Sequence, residues 1–179
     1  MEHPLVKFKY CPVCGSSHFV INNFKSKKCD NCGFVYYANA SSATVAFILN
    51  EKKELLVVRR KNEPAKGTLD LPGGFVDMEE TGEQGIIREV KEETGLEATE
   101  TIYQFSIPNI YRYSGITVHT LDMFYIVKTK DLSHVEAMDD AAEFLWIPLQ
   151  EIHTELFGLR SIRQGLIQFL EMYEKGAKL

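Results

Sequence analysis

The sequence predicts an α/β chain in which a small cysteine-built ribbon precedes a larger body of strands and helices. Three observations carry this. All four cysteines fall in two Cys-x-x-Cys-Gly units near the start of the chain. Several apolar runs rich in β-branched and aromatic residues are separated by polar turn segments, the mark of strands. Two stretches, at about 81–94 and 161–175, repeat apolar residues at helical spacing.

At 179 residues and 45% hydrophobic, the chain can bury a sizeable core as one ordinary domain with a small appendage. The longest apolar runs, such as residues 45–49, are far short of the ~20 residues a membrane helix needs, and no signal-peptide pattern opens the chain. A soluble protein of the cytoplasm is therefore expected, without a membrane partner. Net charge is −5 but unevenly placed: residues 1–40 hold Lys7, Lys9, Lys25, Lys27 and Lys28 against Glu2 and Asp30, so a basic start precedes an acidic body. That asymmetry permits contact with nucleic acid or a phosphate-bearing ligand, although a few lysines more often keep a small module soluble.

Taken in order, Cys11-Pro-Val-Cys14-Gly and Cys29-Asp-Asn-Cys32-Gly can bring four thiolates around one tetrahedral zinc ion. Disulfides are disfavoured without a secretory signal, and a redox pair is disfavoured by two matched units outside a βαβ setting. Such a closed site stabilises a ribbon and does no chemistry. Residues 19–21 and 33–37 read as its strands, and 39–42 as a link, giving a ribbon at 1–38 and a second domain at 39–179.

Residues 44–49 and 54–59, joined by Asn50-Glu-Lys-Lys, read as a hairpin. Arg59, Arg60 and Lys61 follow, placed either to hold substrate phosphate or to pair with the acidic body. A short strand at 68–71 delivers the turn-forming Leu71-Pro-Gly73-Gly74, whose glycines are counted with Arg59 and Arg60 as substrate candidates.

The helix after this loop organises the chain. Thr81 with Gln84 has the capping-box form and Gly95 sits where a left-handed residue ends a helix, so the helix is expected at about 81–94. Glu89, Glu92 and Glu93 then share an arc of roughly 100°, while Ile86, Ile87 and Val90 lie on a side that can be buried. Carboxylates this close repel each other, and a hard divalent cation such as magnesium suits them, since it takes carboxylate oxygens with waters and phosphates. The alternative is a solvated acidic face partly neutralised by Arg88 and Lys91.

Beyond the helix, 101–106 and 116–128 read as strands. Between them lies a loop with Pro108, Tyr111 and Tyr113, where the tyrosines either stack a nucleobase or nicotinamide or pack into the fold. Residues 144–148 form another strand, with Trp146 most simply in the core. A closing amphipathic helix repeats Ile162, Leu166, Leu170 and Tyr173.

From Gly74 the spacing runs through Glu80, Arg88-Glu89, Glu92-Glu93 and Gly95-Leu96 and resembles the Nudix box at every defining position. The whole chain resembles the zinc-ribbon branch of the Nudix hydrolases, which includes the NADH pyrophosphatases. The resemblance implies an α/β/α sandwich with a mixed sheet and hydrolysis of a diphosphate bond in a nucleoside diphosphate linked to another group, of the NADH, ADP-ribose or dinucleoside polyphosphate type. It implies magnesium or manganese on Glu89, Glu92 and Glu93, and a structural Glu80–Arg88 pair. It offers Asp140, six residues before Trp146, as a further ligand or base, with Glu143 next, and a homodimer is frequent in this branch. At the offset where NADH pyrophosphatases carry Ser-Gln-Pro-Trp-Pro-Phe-Pro, this chain reads Ser106-Ile-Pro-Asn-Ile-Tyr111-Arg, without the tryptophan. Cleavage of oxidised nucleoside triphosphates is the second enzymatic reading. A non-catalytic nucleotide- or nucleic-acid-binding module is the rival of another class, disfavoured by the intact set of glutamates.

Overall fold

The computed structural model describes residues 2–132, 135 and 141–176. The ribbon is a three-stranded antiparallel sheet of β1 (Phe19–Asn23), β2 (Ser26–Cys29) and β3 (Val35–Tyr37). The middle strand is hidden in the sequence because Lys27 and Lys28 break any apolar pattern. Lys27 is nonetheless buried, its Nζ donating to the Phe8 carbonyl at 2.5 Å and lying 5.0 Å from the centre of the Phe19 ring. Its stem fills apolar space while its charge meets an acceptor and a π-face.

The body contains β4 (Ser41–Phe47), β5 (Glu54–Arg60), β6 (Leu69–Asp70), α1 (Gly82–Thr94), β7 (Ala98–Tyr113), β8 (Ile116–Thr129), β9 (Ala141–Pro148) and α2 (Arg160–Glu174). One sheet has the order β4-β8-β7, with β4 parallel and β7 antiparallel to β8. The other, β6-β5-β9, is antiparallel. Alternation along the strands divides the interior into two cores. Val45, Phe47, Leu55, Val57, Phe124 and Ile126 pack with Ile162, Leu166 and Phe169 of α2. Ala46, Ile48, Leu56, Tyr125 and Val127 pack with Ile86 and Val90 of α1. The strands therefore lie between two helices, as expected of an α/β/α sandwich. Trp146 is half-buried against the α1 core. Among the described residues no helix is long and apolar enough to cross a membrane.

Four local expectations are corrected. The 44–59 hairpin exists only at its turn, through the Leu49–Leu55 bridge and the Leu56 amide on the Ile48 carbonyl. Beyond it β4 leaves β5, because the glycine loop takes that edge: Ala46 N donates to Pro72 O, Thr44 N to Gly74 O, and Val76 N to Ser42 O, at 2.8 to 3.0 Å. The link expected at 39–42 is accordingly shorter, since β4 already begins at Ser41. The aromatic loop expected after 106 is instead the second half of β7, which runs to Tyr113. Pro108 is tolerated because β7 is an edge strand, whose outer side needs no amide donor. Ser114 (φ 49°) and Gly115 (φ 75°) then make the two-residue turn into β8. Finally, Ile87 is 41% exposed, whereas Ile86 and Val90 are fully buried. One residue is a 100° step, enough to carry Ile87 off the core-facing side.

Candidate active site

Thr81 Oγ1 accepts from the Gln84 backbone amide, the Thr81 amide donates in return to Gln84 Oε1, and Gly95 closes α1 in the left-handed conformation. The helix so fixed holds Arg88 at the centre of a carboxylate cluster. Arg88 meets Glu80 with two bonds of 3.0 and 2.9 Å, and donates to the Phe75 carbonyl at 2.9 Å. The pairing expected between Glu80 and Arg88 is thus present, and it ties the loop to the helix. Arg88 also neutralises part of the acidic face, as the alternative reading of this helix expects, its Nη1 lying 2.8 Å from Glu89 Oε1 and 3.0 Å from Glu92 Oε2. Two of the three box glutamates therefore converge on one positively charged nitrogen, and a cation bound there competes with Arg88 for both.

The Glu80 carboxyl is held below the usual range, first by Arg88 and then by the Asp77 amide. Glu89 is pushed the other way, because its burial outweighs the bond from Arg88. A carboxyl whose folded pKa is lowered stabilises the protein above its unfolded pKa and loses that contribution as pH falls through the folded value. Acidification below about 4.5, the ordinary value of such a carboxyl, should therefore destabilise the wild type more than Glu80→Gln. Thermal unfolding of the two proteins between roughly pH 3 and 6 checks this.

Glycine is required at both loop positions. At Gly73, φ is 143° and a Cβ would lie 2.1 Å from the Thr44 carbonyl oxygen; at Gly74 a Cβ would lie 2.6 Å from the Glu89 carboxyl. The missing side chain of Gly74 is thus the space that Glu89 fills. Gly73 N in turn donates to Glu93 Oε2 at 3.0 Å. Gly74→Ala is expected to displace Glu89 and lower manganese affinity about 10- to 100-fold, the usual effect of disturbing a ligand's support. Calorimetric titration with manganese measures it.

The residues fit hard cations by donor type, being carboxylates on one helix face. Among the described residues, however, only the four cysteines bring three or more ligand atoms within 4.8 Å of one another. The glutamates do not close a cage, so a magnesium ion held there would complete its shell with water and substrate phosphate. In the ribbon, Cys11 Sγ lies 3.7 Å from Cys32 Sγ, and Cys14 Sγ 3.6 Å from Cys29 Sγ. These match the edges of a tetrahedron with zinc–sulfur bonds of about 2.3 Å and are far too long for disulfides. Hydrogen bonds from the Ser16 backbone and then Asn31 hold the Cys14 thiol down to about 6. Cys32 goes up to about 12: the Phe34 backbone favours its thiolate, but desolvation and the neighbouring sulfurs outweigh it.

A cleft of about 660 Å³ is lined by Gly73, Gly74, Phe75 and Glu93 and also by Arg60, Asp70, Asn109, Tyr113, Thr120 and Asp122. Of the substrate candidates, Arg60 reaches the cleft while paired with Asp70 and donating to the Pro64 carbonyl at 2.7 Å. Burial pushes the Asp70 carboxyl up despite that arginine. Arg59 does not line the cleft: it pairs with Glu143 at 2.5 Å, where the two residues face each other across β5 and β9. That bond also engages Glu143, the second candidate base. Tyr113 is 58% exposed and lines the cleft; the Tyr111 side chain and Asp140 lie outside the described residues.

Sequence reasoning missed Asp70, Asn109, Thr120 and Asp122. Their signal is a polar residue at a core-facing position of a strand: Asp122 has the parity of Phe124 and Ile126, and Asn109 that of Ile107.

Residues 39–169 match the NUDIX domain family. Over 49 residues the chain is 51% identical to an ADP-ribose pyrophosphatase of Methanocaldococcus jannaschii, spanning 27% of this chain and 29% of that protein. Over 106 residues it is 29% identical to the NAD-capped RNA hydrolase NudC of Vibrio atlanticus, spanning 59% of this chain and 39% of that one. The chain thus matches less than half the length of either relative. A NUDIX hydrolase from Nitrosomonas europaea superposes with a TM-score of 0.70 at 22% identity, covering 94% of this chain and 93% of that one. The NUDIX domain of Shewanella oneidensis NrtR, complexed with ADP ribose, gives 0.61 at 18% identity, covering 79% and 91%. At these identities the superpositions speak to the fold alone, but the family match spans most of the body that carries the glycine loop and the glutamate helix, and the chain belongs to the NUDIX family.

Proposed function

We propose that this chain is a metal-dependent pyrophosphohydrolase that cleaves the diphosphate bond of a nucleoside diphosphate linked to another moiety, such as NADH, NAD, ADP-ribose or a dinucleoside polyphosphate. The observation that carries the reading is the glycine loop laid against the glutamate helix: Gly74 leaves the space that the Glu89 carboxyl fills, Gly73 N donates to Glu93 Oε2, and Gly73, Gly74 and Glu93 line one cleft. The names of the two relatives, an ADP-ribose pyrophosphatase and an NAD-capped RNA hydrolase, support the substrate class. Glu89, Glu92 and Glu93 would hold magnesium or manganese, which when bound neutralises a diphosphate and activates a water. The protein's part is positional. Arg88 fixes Glu80 and with it the loop, Gly73 orients Glu93, and the extended loop backbone keeps that carboxylate at the cleft wall. A carboxylate then takes the proton of the attacking water. The ribbon, 1–38, would bind zinc as a separate structural unit ahead of the catalytic domain at 39–179, in a protein of the cytoplasm.

The test is a panel of NADH, NAD, ADP-ribose, diadenosine polyphosphates, capped RNA and oxidised dGTP incubated with magnesium or manganese, with products identified by mass. Two nucleoside monophosphates, or AMP and ribose phosphate, are the expected products. Pyrophosphate released from the triphosphate alone would replace this reading with nucleotide-pool cleaning, and no hydrolysis of any compound would overturn it.

A further inference from the structure

Asn109 is 3% exposed, and its Oδ1 accepts from the Ile110 amide at 2.9 Å. Its Nδ2 donates to no described group, although Asn109 lines the cleft. No buried side-chain nitrogen or oxygen among the described residues lacks a partner, so this N–H stays open to the cleft and can be met by whatever fills it. Thr120 faces Asn109 directly in the β7–β8 register, and Asp122 is two residues along the same side of β8. Asp122 is 5% exposed, and its two oxygens accept from Thr120 Oγ1 and Ser161 Oγ, both at 2.5 Å. Each oxygen keeps room for a second donor. The wall therefore offers an amide N–H beside a carboxylate, at the side of the sheet facing α2.

Charge decides which part of a nucleotide fits there. Asp122 and Asp70 are both buried in this cleft, and among the described residues the ion pair of Arg60 is with Asp70 and not with Asp122. A phosphate placed against Asp122 would meet a buried like charge. A neutral ring with an N–H beside a carbonyl or ring nitrogen would satisfy both groups, its N–H on Asp122 and its acceptor on Asn109 Nδ2. Phe75 and Tyr113 bring aromatic faces to the same cleft, suited to stacking such a ring. We propose that Asn109, Thr120 and Asp122 form the nucleobase pocket of this protein, with Asn109 and Asp122 reading the base edge and Thr120 orienting the Asp122 carboxylate. The assignment rests on the reading of the substrate as a nucleotide and adds to it the groups that select the base.

The test measures binding without turnover. Zinc-loaded protein, without added magnesium or manganese, is titrated by calorimetry with AMP, GMP, CMP, UMP and ribose 5-phosphate, none of which holds a diphosphate to cleave. Wild type is expected to bind at least one nucleotide about 10-fold or more tightly than ribose 5-phosphate, the scale of one good donor–acceptor pair to a base. Asn109→Ala should erase that margin and leave ribose 5-phosphate unchanged. Thr120→Val, which keeps the side-chain shape, should narrow it and covers the case in which Asn109→Ala does not fold. Equal binding of all five probes by wild type, or an unchanged base preference in folded variants, overturns the proposal. Since hydrolysis is not read, failure of the pyrophosphohydrolase panel would leave a positive binding result standing, and the reverse also holds.

Discussion

Replacing Glu93 with glutamine is expected to lower turnover at least ~10²-fold, the scale seen when one group aimed at the reacting charge is removed. Glutamine keeps the length and an oxygen able to accept from Gly73 N, now 3.0 Å from Glu93 Oε2, so the loop should stay in place. What is lost is the negative charge, and with it both cation binding and proton acceptance at the cleft wall. The fold should survive because the cores rest on Ile86 and Val90 of the same helix and on α2, none of which touches this exchange. Kinetics on the best substrate of the panel, with circular dichroism of the variant, decide it. Full activity in a folded Glu93→Gln protein would remove the mechanism.

Loss of the zinc proposed for the ribbon is expected to unfold that unit and spare the body. The ribbon's own buried apolar cluster consists of Cys11, Phe19 and Cys29, with Phe34 against it, and neither body core contains a ribbon residue. So small a cluster cannot offset the chain entropy of three strands without a metal, and structural zinc in comparable modules contributes on the order of 10 kcal/mol. A strong chelator, or Cys29→Ser, should abolish amide protection across β1–β3 while the amides of β5 and β8 exchange as before. Hydrogen exchange followed by mass spectrometry measures both. Unchanged protection of β1–β3 would show a ribbon that holds itself together.

Much of this was legible in the sequence where the signal is local. The capping residues Thr81, Gln84 and Gly95 set the ends of α1 to within a residue, since a cap depends only on its own turn. The apolar positions of α2 were legible for the same reason. Pairing of distant segments was not. Nothing near Asn50 reveals that the loop at 72–76 will compete for the edge of β4. A proline between two strand-like runs reads as a break until the strand is known to lie at a sheet edge, as β7 does. Arg88 was legible as the partner of Glu80, but its hold on Glu89 and Glu92 depends on a rotamer that spacing does not determine. The cleft residues Asn109 and Asp122 were visible only as polar letters on core-facing strand positions, a pattern that acquires meaning once a cavity is seen beside them.

The way the glycine loop lies along β4 has a consequence for how this protein can change its substrate. Because Pro72, Gly74 and Val76 are all bonded to β4, the segment behaves as a fixed anvil and cannot drift without tearing a sheet edge. On the assignment proposed above, adaptation to a different molecule would come from the opposite jaw, where single replacements on β7 and β8 would alter what is gripped while the hammer-side acids keep their aim.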